Sequence, residues 1–267
     1  MQYYAKAGLV NRHTLLFSLG VLLLYFTIGS PFTIISHLSF SLHMIQMSIL
    51  FFIIPPLILL GTPENLYRKT LNFPKPSWIK KLHFPPKIAL YVFGLILLLY
   101  HLPFILTFIS KNALLQSGFI SGMFLLSFIM WWPIASPDPN RRLDKRDMKR
   151  YAMTSGYVLL PACLFFILAA LIGEIENPLF VQLTVHLCMP ETLGTVTLLP
   201  SPFNTKYDQF MAGVIMMGLH KCGLVMALKL EDKMIAAQPK SEKNETYPPA
   251  QTYCEKRDKG GGFVEKL

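Results

Sequence analysis

Six long apolar segments, separated by polar connections, constrain this chain more than any other feature of its sequence. A helix needs about 20 mostly apolar residues to cross the hydrocarbon core of a bilayer. Segments of this length and character lie at 14–30, 41–61, 88–108, 114–135, 151–173 and 207–229. Because 52% of the chain is hydrophobic and only 15% is charged, its composition excludes an ordinary soluble domain. The sequence therefore predicts an all-α, polytopic transmembrane helix bundle of about six spans.

The basic residues alternate from one connection to the next, and this alternation predicts the orientation of the chain. Connections 62–87 and 136–150 are rich in Lys and Arg, whereas 31–40 has neither and 174–206 has only Lys206. Lys and Arg concentrate in the cytoplasmic loops of membrane proteins. We therefore assign the net charge of +10 to the inner side of the membrane and not to nucleic-acid binding. Both termini are predicted to be cytoplasmic.

A seventh apolar segment, 178–199, would reverse the predicted side of the C-terminus if it crossed the membrane. It contains Glu191, and a carboxylate within a span needs a partner. We therefore assign it to an extracytoplasmic connection near 174–206. Residues 1–235 are predicted to form the transmembrane domain. The polar tail 236–267 has no apolar periodicity and is predicted to be disordered in the cytoplasm.

Histidine and methionine side chains concentrate in the apolar segments, toward their predicted outer ends. His43 lies one helical turn before Met47, and Met216 lies one turn before His220, so each pair shares a helix face. These four side chains can converge if the two helices pack together. The candidate metal-ligating residues are His43, Met44, Met47, His101, Met216, Met217 and His220.

The residue types in these clusters indicate which metal they suit. Thioethers and thiolates favour Cu(I), and imidazole binds copper in both oxidation states. Carboxylates, which suit magnesium and calcium, are almost absent from the apolar segments. The pattern therefore predicts a Cu(I) site at the outer face. The competing interpretation is structural, because methionine often fills helix interfaces and a histidine within a span often bonds a neighbouring carbonyl.

Prolines predict where the helices break. Pro55 and Pro56 lie deep in the second segment and must leave backbone acceptors without their helical partners. Such a break is either a hinge or a kink that a neighbouring helix satisfies. His101 comes just before Pro103, where a kink is expected to free a carbonyl.

Two further features concern the ends and the middle of the segments. Trp131 and Trp132 close the fourth segment, and we interpret them as indole anchors at the cytoplasmic interface. Lys221 lies inside the last segment. It must extend to the interface, pair with an anion or line a polar cavity.

Three stretches of the sequence together resemble a known family. They are SLHMIQMSILFFIIPPLILLG at 41–61, MWWPIASPDP at 130–139 and DQFMAGVIM at 208–216. Over about 12–230 the chain resembles the CtaG family of bacterial cytochrome c oxidase assembly factors. The family motif residues are matched at His43, Met44, Gln46, Pro55, Pro56, Trp131, Trp132, Pro133, Asp208, Gln209 and Gly213. Many members have a histidine where this chain has Met47.

The resemblance implies a function. It implies a multi-pass protein of the bacterial plasma membrane that makes a haem-copper oxidase active, with oxidase subunits as partners. The implied route is delivery of copper to the catalytic subunit, a chaperone role without enzymatic activity. Whether the chain forms homo-oligomers is left open by the sequence.

Other classes of protein remain to be weighed. The chain has no GxSxG, HExxH, phosphate-loop or nucleotide-binding motif, so an enzyme is not indicated. One alternative is a b-type haem protein in which His43 and His220 ligate one iron from facing helices. Another is a small permease whose substrate path follows the Pro55-Pro56 break and Lys221.

Overall fold

The computed structural model of the chain describes residues 2–29, 31–71, 85–172, 203 and 205–237. The seventh apolar segment, most of the predicted extracytoplasmic connection and nearly all of the predicted tail lie outside the described residues.

The described part of the chain is helical and contains no β-strand, which confirms the predicted all-α class. Its helices are α1 (Gln2–Gly29), α2 (Phe32–Ser36), α3 (Phe40–Ser48), a π-helical turn (Ile49–Ile53), α4 (Ile54–Gly61), α5 (Glu64–Leu71), α6 (Pro86–Tyr100), α7 (Pro103–Ser110), α8 (Ala113–Ala135), a 3₁₀ turn (Pro139–Arg141), α9 (Lys145–Ile172) and α10 (Lys206–Ala237).

Within these residues, five helical segments are long and apolar enough to cross a membrane. They are Arg12–Gly29, Phe40–Gly61, Leu114–Ala135, Lys145–Ile172 and Lys206–Ala236. Helices α6 and α7 form the predicted third segment, and they meet at an angle of 84° next to Pro103, where a kink was predicted. The predicted number of six holds if this bent pair is one span. The chain is a multi-pass membrane protein.

The second apolar segment, formed by α3, the π-helical turn and α4, is the centre of the bundle. Most residues of the span Phe40–Gly61 are buried, compared with 11% of those in Arg12–Gly29. Helices α1, α8 and α10 pack around this central segment, α9 packs on α10, and α6 packs on α8 and α9. A helix that is apolar on all sides is expected to occupy such a position.

Polar contacts join the helices at both ends of the bundle. At one end, which we call the histidine end, Asp208 of α10 meets the first residues of α3. At the other, which we call the basic end, buried Arg142 lies 3.7 Å from Glu231 of α10, and its Nε donates to the Ser136 carbonyl at 2.8 Å. The central segment and α10 therefore run in the same direction.

Candidate functional site

The first turn of α3 is held by a carboxylate from another helix. Oδ2 of buried Asp208 accepts the amide of Phe40 at 2.9 Å, and Oδ1 accepts the amide of Ser41 at 3.2 Å as well as the Ser41 hydroxyl. The Ser39 hydroxyl accepts the amide of Leu42 at 3.2 Å. The first amides of a helix lack helical partners, and an anion there is favoured by the helix dipole. These bonds fix the start of α3, and with it the position of His43.

His43 lies just inside this turn, with 1% of its surface exposed. The Tyr100 hydroxyl is 3.4 Å from its Nε2, and the His37 ring centroid is 6.2 Å from its own. Its Nδ1 is buried without a hydrogen-bond partner among the described residues. Most buried polar atoms in proteins are satisfied. An imidazole with an unused nitrogen is therefore a candidate ligand.

His101 follows the last residue of α6 and has its tautomer assigned by one hydrogen bond. The His101 amide bonds the carbonyl of Leu98, and its Nδ1 lies 2.6 Å from the carbonyl oxygen of Leu97. A carbonyl only accepts, so Nδ1 carries the proton and Nε2 has a lone pair. This Nε2 is buried without a partner in the described part of the chain. Metal-binding histidines commonly donate their other N–H to a carbonyl in this way.

His37 is a residue of this end that the sequence analysis missed. It follows α2, and its ring packs near that of His43. Helix α2 is held against α3 by Gln46, which accepts the Ser36 hydroxyl at 2.6 Å and donates to the Thr27 carbonyl at 2.9 Å. The sequence feature that could have identified His37 is its position six residues before His43, in a connection without Lys or Arg.

The predicted second cluster lies deeper in the bundle. The His220 ring meets the Phe52 ring at a centroid distance of 4.9 Å. Because Phe52 is nine residues beyond His43, the two histidines lie about 13 Å apart along the bundle at 1.5 Å per residue. Met216 is buried and Met217 half-buried on the same helix. The structure thus brings His37, His43 and His101 to one end, with Met44 and Met47 buried nearby in α3, and keeps His220 apart from them.

The side chains at the histidine end do not form a closed metal site on their own. Within the described residues, no three His, Cys, Asp or Glu side chains are grouped so that they could hold a metal ion. The carboxylate of Asp208 is already engaged by α3. Any metal held at this end would therefore need the neighbouring thioethers as ligands.

The carbonyl freed by the first proline of the central segment is satisfied from α8. Pro55 has no amide hydrogen, so the carbonyl of Phe51 loses its helical donor. The indole Nε1 of Trp131 donates to that carbonyl at 2.9 Å. Trp131 is buried, so its predicted role as an interfacial anchor is wrong. Trp132 is half-buried and lies 5.5 Å from the Tyr67 ring.

The carbonyl freed by the second proline, that of Phe52, is covered by close packing. Gly223 of α10 lies against it so closely that a Cβ at this glycine would be 2.5 Å from the carbonyl oxygen. Small residues permit such approaches between membrane helices. The break in backbone hydrogen bonding at Pro55 and Pro56 is thus covered by two neighbouring helices.

The sequence of this chain matches that of a known protein family. The sequence model of the cytochrome c oxidase caa3 assembly factor family, Caa3_CtaG, matches residues 4–230. The chain belongs to this family. The resemblance drawn from the sequence is therefore confirmed. No curated protein and no solved structure matches the chain.

Several motif residues of this Caa3_CtaG member lie at contacts between helices. Asp208 joins α10 to α3, Gln46 joins α3 to α1 and α2, and Trp131 joins α8 to the central segment. A Cβ at Gly213 would lie 2.7 Å from the Cys163 carbonyl oxygen, so this glycine lets α10 approach α9. These motif positions thus specify how the helices pack, while His43 and Met44 supply the potential ligands.

Proposed function

We propose that this family member assists assembly of a caa3-type cytochrome c oxidase in a bacterial plasma membrane, and that it carries Cu(I) at its histidine end. The observation that supports the copper role is a pair of buried imidazoles, His43 and His101, each with an unpartnered ring nitrogen and each packed on Tyr100. An assembly factor of this kind binds its cargo and passes it on without catalysing a reaction.

The donor set fits Cu(I) by type. Imidazole from His43, with His37 or His101, and the buried thioether of Met44 or Met47 are soft or borderline ligands, which Cu(I) accepts. A magnesium or calcium ion would require oxygen ligands. The one carboxylate described at this end, that of Asp208, is occupied by the amides of Phe40 and Ser41. The chemistry available therefore favours a soft cation.

The charge distribution supports an outward-facing histidine end. Arg142, Lys145 and Arg150 gather at the opposite, basic end, where Lys145 also pairs with Asp232 at 2.6 Å. Because basic loops stay in the cytoplasm, the cargo would be received and released on the outer side. The client that suits this placement is a copper-containing oxidase subunit in the same membrane.

The two alternative functions lose support from the geometry. One haem iron needs its two axial ligands on opposite sides of a single atom, which histidines about 13 Å apart along the bundle cannot supply. A permease path along the Pro55-Pro56 break would need open backbone there. Trp131 and Gly223 cover the freed carbonyls of this break.

Competition with a Cu(I) chelator tests the copper proposal on purified, full-length protein. We expect His43→Ala to weaken Cu(I) binding by about 10-fold or more, the scale of losses at metal sites. The matched control is His220→Ala, which removes a buried imidazole of the deeper cluster and should leave the affinity within about 2-fold. Equal affinities for the wild type and His43→Ala would refute the site.

The assembly role needs a separate measurement. Deleting the gene should remove caa3-type oxidase activity from membranes of the host, and the wild-type chain should restore it. If activity is restored equally by the wild type and by a His43→Ala chain that has lost Cu(I) binding, assembly would stand and the copper role would fail. Full oxidase activity in the deletion strain would refute the assembly role itself.

A further inference from the structure

A lysine occupies the middle of the last transmembrane helix, where the proposed copper role does not use it. Lys221 lies within the apolar part of α10, 15 residues after Lys206 and eight residues before Lys229. These intervals correspond to about 22 Å and about 12 Å of helix. A cation within a span is costly and usually marks a functional contact.

A pocket lies between α9 and α10, and this lysine, which is exposed, lines part of it. Its volume is about 290 Å³, and its lining includes Gly156, Tyr157, Met217, His220 and Lys221. A Cβ at Gly156 would be 3.0 Å from the Lys221 ammonium nitrogen, so the missing side chain makes room for the lysine. Of the three possibilities that the sequence left open for Lys221, the structure places the lysine at a cavity, and that cavity is lined mainly by apolar residues.

The pocket also contains an unsatisfied imidazole. His220 is 3% exposed, and its Nε2 has no hydrogen-bond partner among the described residues. The pocket therefore presents a positive charge and a buried ring nitrogen together. Tyr157 and Met153 line it and are largely exposed on the outer surface of the bundle. The site thus opens toward the surrounding membrane.

No anion from the described part of the chain balances Lys221. The ion pairs there join Asp138, Asp147, Glu231 and Asp232 to other basic residues. Asp208 is taken by the first turn of α3. A lipid phosphate stays at the membrane interface, which is about 12 Å of helix from Lys221 at the basic end. A carboxylate on a second transmembrane helix can lie at the depth of the lysine.

We infer that this pocket receives an Asp or Glu side chain from a transmembrane helix of a partner protein. The carboxylate pairs with the Lys221 ammonium and accepts a hydrogen bond from Nε2 of His220 when that nitrogen carries the proton. Both partners are ionic or polar groups in a medium of low dielectric constant, where a matched pair is strongly preferred to a lone charge. The identification of the partner as an oxidase subunit rests on the proposed function.

Site-specific photocrosslinking in host membranes tests the docking pocket with the full-length chain. A photoreactive residue at Met153, which lines the pocket and is 61% exposed, should capture a transmembrane segment that contains Asp or Glu. The matched control is Leu95 of α6, which is 57% exposed away from the pocket and should not capture that segment. Capture of lipid alone at Met153, or of a segment without a carboxylate, would overturn the inference.

Charge reversal tests the ion pair itself. Lys221→Glu should lower the yield of the Met153 crosslink at least about 10-fold, and changing the captured acidic residue to Lys should restore it. Lys221→Met removes the charge by an apolar change that favours membrane insertion, and it should also lower the yield. Because this variant introduces no new charge into the membrane, its lower yield would follow from loss of the lysine charge and not from misfolding. An unchanged yield in Lys221→Glu would overturn the pairing.

The identity of the partner separates this inference from the assembly role. A captured oxidase segment whose crosslink depends on Lys221 would support both. A captured acidic segment from another membrane protein would keep the docking pocket and overturn its assignment to an oxidase subunit. Gene deletion without loss of oxidase activity would refute the assembly role while the crosslink still reports on the pocket.

Discussion

The hydrogen bond from Trp131 to the Phe51 carbonyl allows a quantitative test of how the break at Pro55 is stabilised. Trp131→Phe keeps an aromatic ring in the bundle and removes the only donor that α8 supplies to this carbonyl. Pro55 cannot replace it. A buried acceptor left unpaired costs about 1–3 kcal/mol, and the smaller ring adds about 1 kcal/mol of packing loss. We expect a total destabilisation of about 2–4 kcal/mol.

A second substitution should recover part of that loss. Pro55→Ala restores a backbone amide at the position from which an α-helix donates to Phe51. In the Trp131→Phe background this amide has an unpaired acceptor to bond, whereas in the wild type the indole already occupies it. The double mutant should therefore be more stable than the sum of the two single changes predicts, by about 1 kcal/mol or more.

The assay is reversible unfolding of the purified protein in mixed detergent micelles with increasing SDS. It yields a free energy of unfolding for the wild type, the two single mutants and the double mutant. Trp132→Phe is the matched control, because this indole is half-buried against the Tyr67 ring. It should cost less than Trp131→Phe and show no coupling to Pro55→Ala. Additivity of Trp131→Phe and Pro55→Ala within about 0.5 kcal/mol would refute the argument that the indole replaces a missing amide.

Two other substitutions test contacts of α10 in the same unfolding assay. Asp208→Ala leaves two buried amides of α3 without their acceptor and should cost about 2–6 kcal/mol, at about 1–3 kcal/mol for each amide. The control Asp232→Ala, in an exposed pair, should change stability by less than about 1 kcal/mol. Similar losses for the two variants would contradict the capping role of Asp208. Gly223→Ala places a Cβ against the Phe52 carbonyl and should cost about 1–3 kcal/mol. Gly218→Ala meets nothing within 4 Å and should be neutral or stabilising, so equal effects at the two glycines would exclude close packing as the cause.

The architecture was largely predictable because a bilayer leaves few solutions. Backbone groups must be satisfied internally, so apolar segments of about 20 residues become helices. The same rule predicted that the carbonyls freed at Pro55 would need donors. It did not identify Trp131 as the donor, because the position of that indole depends on how α8 packs against the central segment.

The candidate site was predictable only in part, because hydrophobic periodicity defines which residues share a helix face and not how deep each residue lies in the membrane. His43 and His220 were placed on the same membrane face, yet their levels depend on where α3 and α10 begin. The bond from Asp208 to Phe40 sets that register. His220 lies twelve residues beyond Asp208, whereas His43 lies three beyond Phe40. His37 was missed because it lies in a connection, outside every apolar segment.

The bend between α6 and α7 shows a further limit of sequence reasoning. His101 and Pro103 predicted a kink with a freed carbonyl, and the structure confirms the kink. The Leu99 carbonyl, four residues before Pro103, is not left free. The size of the bend, 84°, follows from local bonds that let the chain turn at little cost. The Leu102 amide bonds the Leu99 carbonyl, and the His101 imidazole bonds the Leu97 carbonyl. No apolar pattern encodes such bonds.

The capping of α3 by Asp208 also sets an order of events during biogenesis. Phe40 leaves the ribosome 168 residues before Asp208, so the central segment enters the membrane long before its cap exists. Until α10 arrives, its first amides lack their acceptor, and the Phe52 carbonyl lacks the helix that packs over it. The last helix therefore completes the hydrogen bonding of the second segment. A nascent chain that stops short of α10 would present uncovered backbone to the membrane, which is a signal that quality-control proteases can recognise.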